Sequence, residues 1–177
     1  MESTIAGQAK ENCQLREEIN FLQQRSRIEN IEITGVPQTD SENIYSVLGA
    51  VAKAIGVPYK DDDIAIAHRV PNTGGNFNII VKFVARKIKI AWLEAAKKKR
   101  GINSSDLGLG LPKSAVYINE HLSPINKQLL GKAKELRKNG KLTYVWVKSG
   151  KIFVRKDAAS LAKQIVRESS LKNFIQE

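Results

Sequence analysis

The chain has 177 residues, 42% of them apolar, and carries a formal charge of +11 with a pI near 9.8. That length holds one medium domain or two small ones, and the cation excess points to a polyanionic partner, either nucleic acid or an acidic membrane surface. One cysteine, Cys13, and two distant histidines exclude a disulfide framework and a zinc cluster; no apolar run approaches the roughly 18–20 residues that cross a bilayer, and the polar N-terminus lacks a signal-peptide core.

The charge is uneven. Residues 1–28 carry four basic and four acidic side chains, residues 29–122 twelve and ten, and residues 123–177 thirteen and four. The last third therefore holds most of the excess.

Residues 1–28 predict a helix. Ile5, Asn12, Ile19 and Ser26 recur every seven residues, and Gln8, Leu15 and Leu22 follow three residues behind. These are the a and d positions of a coiled coil, with Asn12 placed to fix register. The oligomer expected from Ile5, Asn12, Leu15, Ile19 and Leu22 is a dimer or a trimer. The alternative is a lone amphipathic helix lying on the next domain.

Residues 29–122 alternate strand and helix. A strand is expected over 30–36. A helix follows on Ile44, Val47, Leu48, Val51 and Ile55, capped by Asp40 or Ser41 and ended by Gly56 and Pro58. A second strand, 63–69, places Ile64 and Ile66 on one side, with His68 alternating with them as a partly buried core residue. The Gly74-Gly75 loop leads to a third strand, 77–84. A helix over about 86–100 buries Ile88, Trp92 and Ala95, and a fourth strand spans 115–120. The βαββαβ order is that of the split ferredoxin-like arrangement and of RNA-recognition modules. The core expected is Ile31, Ile33, Phe77, Ile79, Val81 and Phe83, with Thr34, Arg69, Lys82 and Tyr117 on the open face. The aromatic signature of RNA-recognition sheets is missing, since Glu32, Asn78 and Ile80 stand where rings are needed, so backbone contact is expected there rather than base stacking.

Residues 123–177 open on Ser123-Pro124, an N-cap with a proline at the first helical position. The helix runs to about Asn139, with Gly140 just past its end. Strands 142–148 and 151–155 join through Ser149-Gly150, a two-residue hairpin turn. A helix over about 158–167 is expected to bury Leu161 and Ile165, and a last turn carries Leu171, Phe174 and Ile175. The fold class expected for the whole chain is α+β: a coiled-coil helix (1–28), an RRM-like βαββαβ domain (29–122) and a small basic α+β domain with a β-hairpin (123–177).

The hairpin carries the sharpest functional signal. A two-residue turn sets Lys148 opposite Lys151, Trp146 opposite Phe153 and Tyr144 opposite Arg155, all on one face. Val145, Val147, Ile152 and Val154 take the other. Opposed lysines destabilise a sheet unless an anion lies between them, and interleaved rings and cations suit a single strand that stacks its bases and presents its phosphates. The competing reading packs Trp146 and Phe153 under a helix. On the preceding helix, Lys127, Lys134 and Lys138 fall near one face with Lys132 and Arg137 close by, a phosphate-contacting stripe or an ordinary solvated face. Lys97 to Arg100 end a helix, where the dipole favours cations; the run is also of the kind that contacts phosphate or directs nuclear import. Asp61, Asp62 and Asp63 are a candidate divalent-ion cluster, or a solvated turn. No phosphate loop, nucleophile elbow or zinc motif occurs.

Several strings, in order, carry a family resemblance: Glu42-Asn43-Ile44, then Ala67-His68-Arg69-Val70-Pro71-Asn72, then Ser123-Pro124 at the junction. With the sequence of coil, βαββαβ domain and basic domain, they resemble the first-open-reading-frame RNA-binding protein of LINE-type retrotransposons. The string from Lys148 to Lys156, KSGKIFVRK, is more similar to the baculovirus few-polyhedra (FP) protein and its insect relatives. The resemblance implies a homo-oligomeric nucleic acid chaperone of retrotransposon or viral origin, with a cleft between the globular domains for single-stranded RNA. Arg69, Lys127, Lys132, Arg155 and Lys156 would line it.

The function expected is therefore non-enzymatic binding of single-stranded RNA or DNA. No cofactor, metal, membrane or small-molecule substrate is expected, and the compartment expected is cytoplasm or nucleus. The alternative is a protein-interaction module of an FP-like protein, and a metal-dependent nuclease built on Asp61–Asp63 is the minor third reading.

Overall fold

In the computed structural model, which describes residues 2–175, the chain begins with one long helix, α1 (Glu2–Arg25). Residues 2–28 and 122–175 form one unit, and Glu29–His121 form a second.

The second unit has the order β1 (Asn30–Thr34), α2 (Ile44–Ile55), β2 (Ile64–Pro71), β3 (Phe77–Phe83), α3 (Arg86–Lys99) and β4 (Tyr117–Glu120). Its four strands make one antiparallel sheet in the order β2-β3-β1-β4. Ile31 and Ile33 of β1 pair with Val81 and Ile79 of β3, and these four with Phe83 are fully buried. Val47, Leu48, Val51, Ala52 and Ile55 of α2 and Trp92 of α3 close over that face, with the Trp92 ring 5.3 Å from Phe83. Phe77, expected in this core, is 43% exposed at the start of β3.

Asn43 caps α2, accepting the Tyr45 and Ser46 N–H groups at 3.0 and 3.3 Å, in place of Asp40 or Ser41. Gly56 ends the helix at φ 78°, a left-handed position that glycine adopts without strain. In α3, Lys89 is as buried as Trp92; its ammonium pairs with Glu120 at 2.7 Å.

A β-bulge between Ile64 and Ile66 breaks the alternation of β2. The extra residue switches the side on which every later side chain falls. Ile64 is buried, whereas Ile66 is exposed opposite Lys82. His68 is likewise exposed, opposite Ile80 on the face away from the helices, and not a core histidine. Arg69 lands opposite the fully buried Ile79, on the helix-covered face.

The other unit sets α4 (Pro124–Lys138) on a three-stranded antiparallel sheet of β5 (Tyr144–Lys148), β6 (Lys151–Arg155) and β7 (Lys163–Ile165). Ser123 caps α4 by accepting the Asn126 N–H at 3.3 Å, with Pro124 at the first position. Leu129 and Ala133 of α4 pack on Ile152, Val154 and Ile165, joined by Leu171 at α5 (Ser169–Lys172) and by Phe174.

The helix expected over 158–167 does not form. The Asp157 carboxylate accepts both the backbone N–H and the hydroxyl of Ser160 (2.7 and 2.8 Å) and the Ala159 N–H (2.9 Å), a local side-chain bond that competes with helix. Arg155 holds the same loop from the other side, donating to the carbonyls of Ser160 and Ala158. The chain then returns as β7 along β6, which gives the hairpin the third strand that an independent sheet needs. Ile165 is buried as expected, but Leu161 is 86% exposed.

α1 belongs to this unit, and its polar side faces it. Gln24, itself buried, accepts the Ser123 N–H and the Asn126 amide at 2.9 Å each. Asn20 meets the same two residues, donating to Asn126 at 3.0 Å and accepting from the Ser123 hydroxyl. Asn126 also donates to the Gly150 carbonyl in the hairpin turn at 3.3 Å. In the heptad frame Asn20 is a b position and Gln24 an f position, so the docked side lies away from the a/d seam. Ile5, Asn12, Leu15, Ile19 and Leu22 are left exposed.

Candidate nucleic-acid interface

Ser149 and Gly150 both take positive φ, 51° and 72°, the signature of the two-residue turn whose twist matches that of the flanking strands. The turn sets the register: Lys148 pairs with Lys151, Trp146 with Phe153 and Tyr144 with Arg155. Val145, Val147, Ile152 and Val154 occupy the opposite face and contribute to the core under α4.

On the first face the rings of Trp146 and Phe153 stack at 5.6 Å with 17° between planes, and the Arg155 guanidinium lies 5.9 Å over the Tyr144 ring. Trp146 and Phe153 are half-buried and neither joins the core, so they do not pack under α4. Gln164 of β7, opposite Phe153, extends the same face. Lys148 and Lys151 are exposed, and neither has an ion-pair partner among the described residues. The face thus offers a two-ring platform bordered by two unneutralised ammonium groups. Geometrically it suits planar groups carried on a polyanionic chain.

Not every residue singled out in the sequence converges here. Lys127, Lys132, Lys134, Arg137 and Lys138 are exposed on α4, which covers the aliphatic face, so the sheet separates them from the aromatic platform. Lys132 pairs with Glu168 at 2.6 Å, and that contact holds the Glu168 carboxyl below its usual range. Arg155 lies on the platform, but its guanidinium is engaged by the 158–160 loop. Lys156 is exposed, one residue past β6.

Arg69 departs furthest from expectation. It is not on the open face: the bulge carries it to the helix side, where its Nε and Nη2 hold both Glu42 oxygens at 2.8 Å. It also donates to the carbonyls of Val36, Phe77 and Pro37. With side chains 9% and 11% exposed, the pair is an internal clamp and offers no free edge to phosphate. Lys82 does lie on the open face, exposed beside Ile66, and Tyr117 is 61% exposed opposite Thr34. Between them Asn78 donates to Glu32 at 3.0 Å and accepts from Asn72 at 2.9 Å, a polar network in place of rings. Asp61–Asp63 form a single 3₁₀ turn, and among the described residues no three His, Cys, Asp or Glu side chains group as a metal site.

The sequence reading missed the network of Asn20, Gln24, Ser123, Asn126 and Gly150. Its residues are polar and come from three separate stretches of the chain, where each reads as solvated. The one local hint is Asn20 and Gln24, four apart on α1 and therefore on one helix face.

A basic α+β unit with a cation-and-aromatic hairpin face is the class that fold and site define for the C-terminal part. Residues 123–175, from the cap of α4 through α5, match the family described as Baculovirus FP protein domain 2. The FP resemblance of the hairpin string thus holds across that unit's globular portion. No curated protein matches the chain. No helix among the described residues is long and apolar enough to cross a membrane.

Proposed function

We propose that the protein binds single-stranded RNA or DNA, without chemistry of its own, through the open face of the β5–β6 hairpin. The observation that carries this reading is the pair Lys148–Lys151 beside the stacked Trp146 and Phe153. Directly opposed like charges cost stability, and an anion seated between them reverses that cost. Adjacent rings accept a base of any identity, since every base has a π-face. The charge of residues 123–177 supplies sequence-tolerant attraction for the backbone.

The other parts take supporting roles. The exposed a/d seam of α1 brings copies together as a dimer or trimer, raising the local concentration of hairpin faces. The order β2-β3-β1-β4 supports an RNA-recognition-like reading of the Glu29–His121 unit, with Lys82 contacting backbone. A nucleic acid chaperone of viral or retrotransposon origin fits these features. The LINE-type resemblance rests on the short strings and the order of parts.

Trp146 fluorescence tests the proposal. Adding an unlabelled single strand to the full chain quenches Trp146 emission in a saturable way, and Trp146→Phe loses the quench. A strand that changes neither emission nor mobility of the protein moves the reading to a protein-interaction module.

A further inference from the structure

The Glu29–His121 unit contains a cavity of about 470 Å³ where the ends of α2 and α3 meet the Ser104–Leu107 turn. Its floor is aliphatic: Ile102 and Leu107 are buried there, and Ala50 and Ala54 are half-buried. Its rim is cationic, formed by Lys53 from the last turn of α2, Lys99 from the last turn of α3 and Arg100 just beyond it. All three are exposed, and none has an ion-pair partner among the described residues.

Helix ends attract cations without any ligand. Each C-terminus carries about half a negative charge, and Asp106 on the same rim adds one more. Its carboxylate accepts the Asn103 N–H at 2.9 Å and so already serves the turn. Three cations set against two helix ends and one carboxylate leave about one positive charge in excess. Some of the backbone carbonyls at these ends are also already met. Gly56 and Val57 donate to Lys53 and Ala52, and the Arg100 N–H donates to Ala96.

Arg100 is also strained and partly unpartnered. It sits at φ 44°, ψ 155°, where L-residues are strained and glycine is not. Strained backbone of this kind clusters at active sites and ligand clamps. Its Nε–H donates to the Lys97 carbonyl at 3.3 Å, which leaves the two terminal nitrogens without a partner among the described residues. A guanidinium edge free in this way matches the paired oxygens of a phosphate.

We propose that this cavity binds a phosphomonoester, its dianionic group on Lys53, Lys99 and Arg100 and the body it is attached to on the aliphatic floor. The volume is that of a small-ligand site, and the ligand is either a free nucleoside monophosphate or the phosphorylated end of a nucleic acid strand. The site belongs to a different unit from the hairpin and does not rest on the hairpin reading.

Calorimetric titration of the full chain with adenosine monophosphate, against adenosine, tests the first source. The second is tested by comparing one short strand with and without a 5′-phosphate, using the Lys148→Ala/Lys151→Ala chain so that the hairpin does not mask the effect. Binding of the monophosphate but not of adenosine assigns a free nucleotide. A 5′-phosphate preference without monophosphate binding assigns a strand end. In either case Lys53→Ala and Arg100→Gly each weaken binding about tenfold, and Arg100→Gly keeps or raises the melting temperature because it removes the strain. Absence of both signals overturns the proposal, as does phosphate binding that survives Arg100→Gly.

Discussion

Lys148 and Lys151 face each other one residue to either side of the Ser149–Gly150 turn, with no carboxylate paired to either among the described residues. In the free protein this arrangement is a cost, of the order of 0.2–1 kcal/mol for a like-charged cross-strand pair. Replacing either lysine by alanine therefore leaves the fold as stable or slightly more stable in urea denaturation, while strand affinity falls. Loss of both stability and affinity together would mean the lysines serve the fold.

Gln24 carries the attachment of α1 to the C-terminal unit. Gln24→Ala leaves the buried Ser123 N–H without its acceptor, at about 1–3 kcal/mol. Gly150→Ala is costly for two reasons: a positive φ of 72°, and a Cβ that would come 2.8 Å from the Gln24 side-chain nitrogen. The second reason disappears when Gln24 is truncated. A double-mutant cycle read by thermal unfolding is expected to show that Gly150→Ala costs less in the Gln24→Ala background than in the wild type. Additive losses would contradict the contact.

Arg69 behaves as a structural clamp. Arg69→Ala strands the Glu42 carboxylate in a nearly buried site, and breaking such a pair costs about 3–5 kcal/mol. Lysine does not restore the loss, because it lacks the fork that holds both carboxylate oxygens. Denaturant unfolding of the two variants measures this, and strand affinity under folding conditions is unchanged in both.

The sequence made much of this legible, and the failures have two separate causes. The hairpin register followed from a two-residue turn, because turn length alone fixes which residues face each other. The core of the first sheet followed from alternation in β1 and β3. Alternation misled in β2, where one inserted residue sent Ile66 and His68 outward and Arg69 inward. A bulge leaves no mark in the hydrophobic pattern of Ile64-Ala65-Ile66-Ala67, so parity counted from Ile64 fails after it. The 158–167 segment misled differently. Leu161 and Ile165 have helical spacing, but Asp157 and Arg155 tie the 158–160 loop just before them, and the open edge of β6 takes Ile165 as a strand.

Asp157 also gives the 156–162 loop a pH dependence. Bonds from the Ser160 hydroxyl, then from the Ser160 and Ala159 N–H groups, hold its carboxyl below the usual range. A lowered carboxyl contributes fully above its unfolded value, about 3.9, and that contribution is lost as pH falls through the folded value. Carbon-detected titration of Asp157 is expected to show a midpoint below that of an unstructured aspartate, and Ser160→Ala to bring it back up. A normal midpoint in the wild type would contradict the loop geometry.

The most direct test of the central claim is the salt dependence of binding by anisotropy, with a labelled strand of about 30 nucleotides, longer than a single site of this type. On single strands each phosphate contact contributes about −0.7 to the slope of log affinity against log salt. The wild type is expected to bind with a steep slope, and Lys148→Ala/Lys151→Ala to bind more weakly with a slope shallower by about 1.4, two contacts' worth. A double variant that matches the wild type in affinity and slope would place the strand elsewhere, and a wild type that binds no strand at any salt would contradict the account.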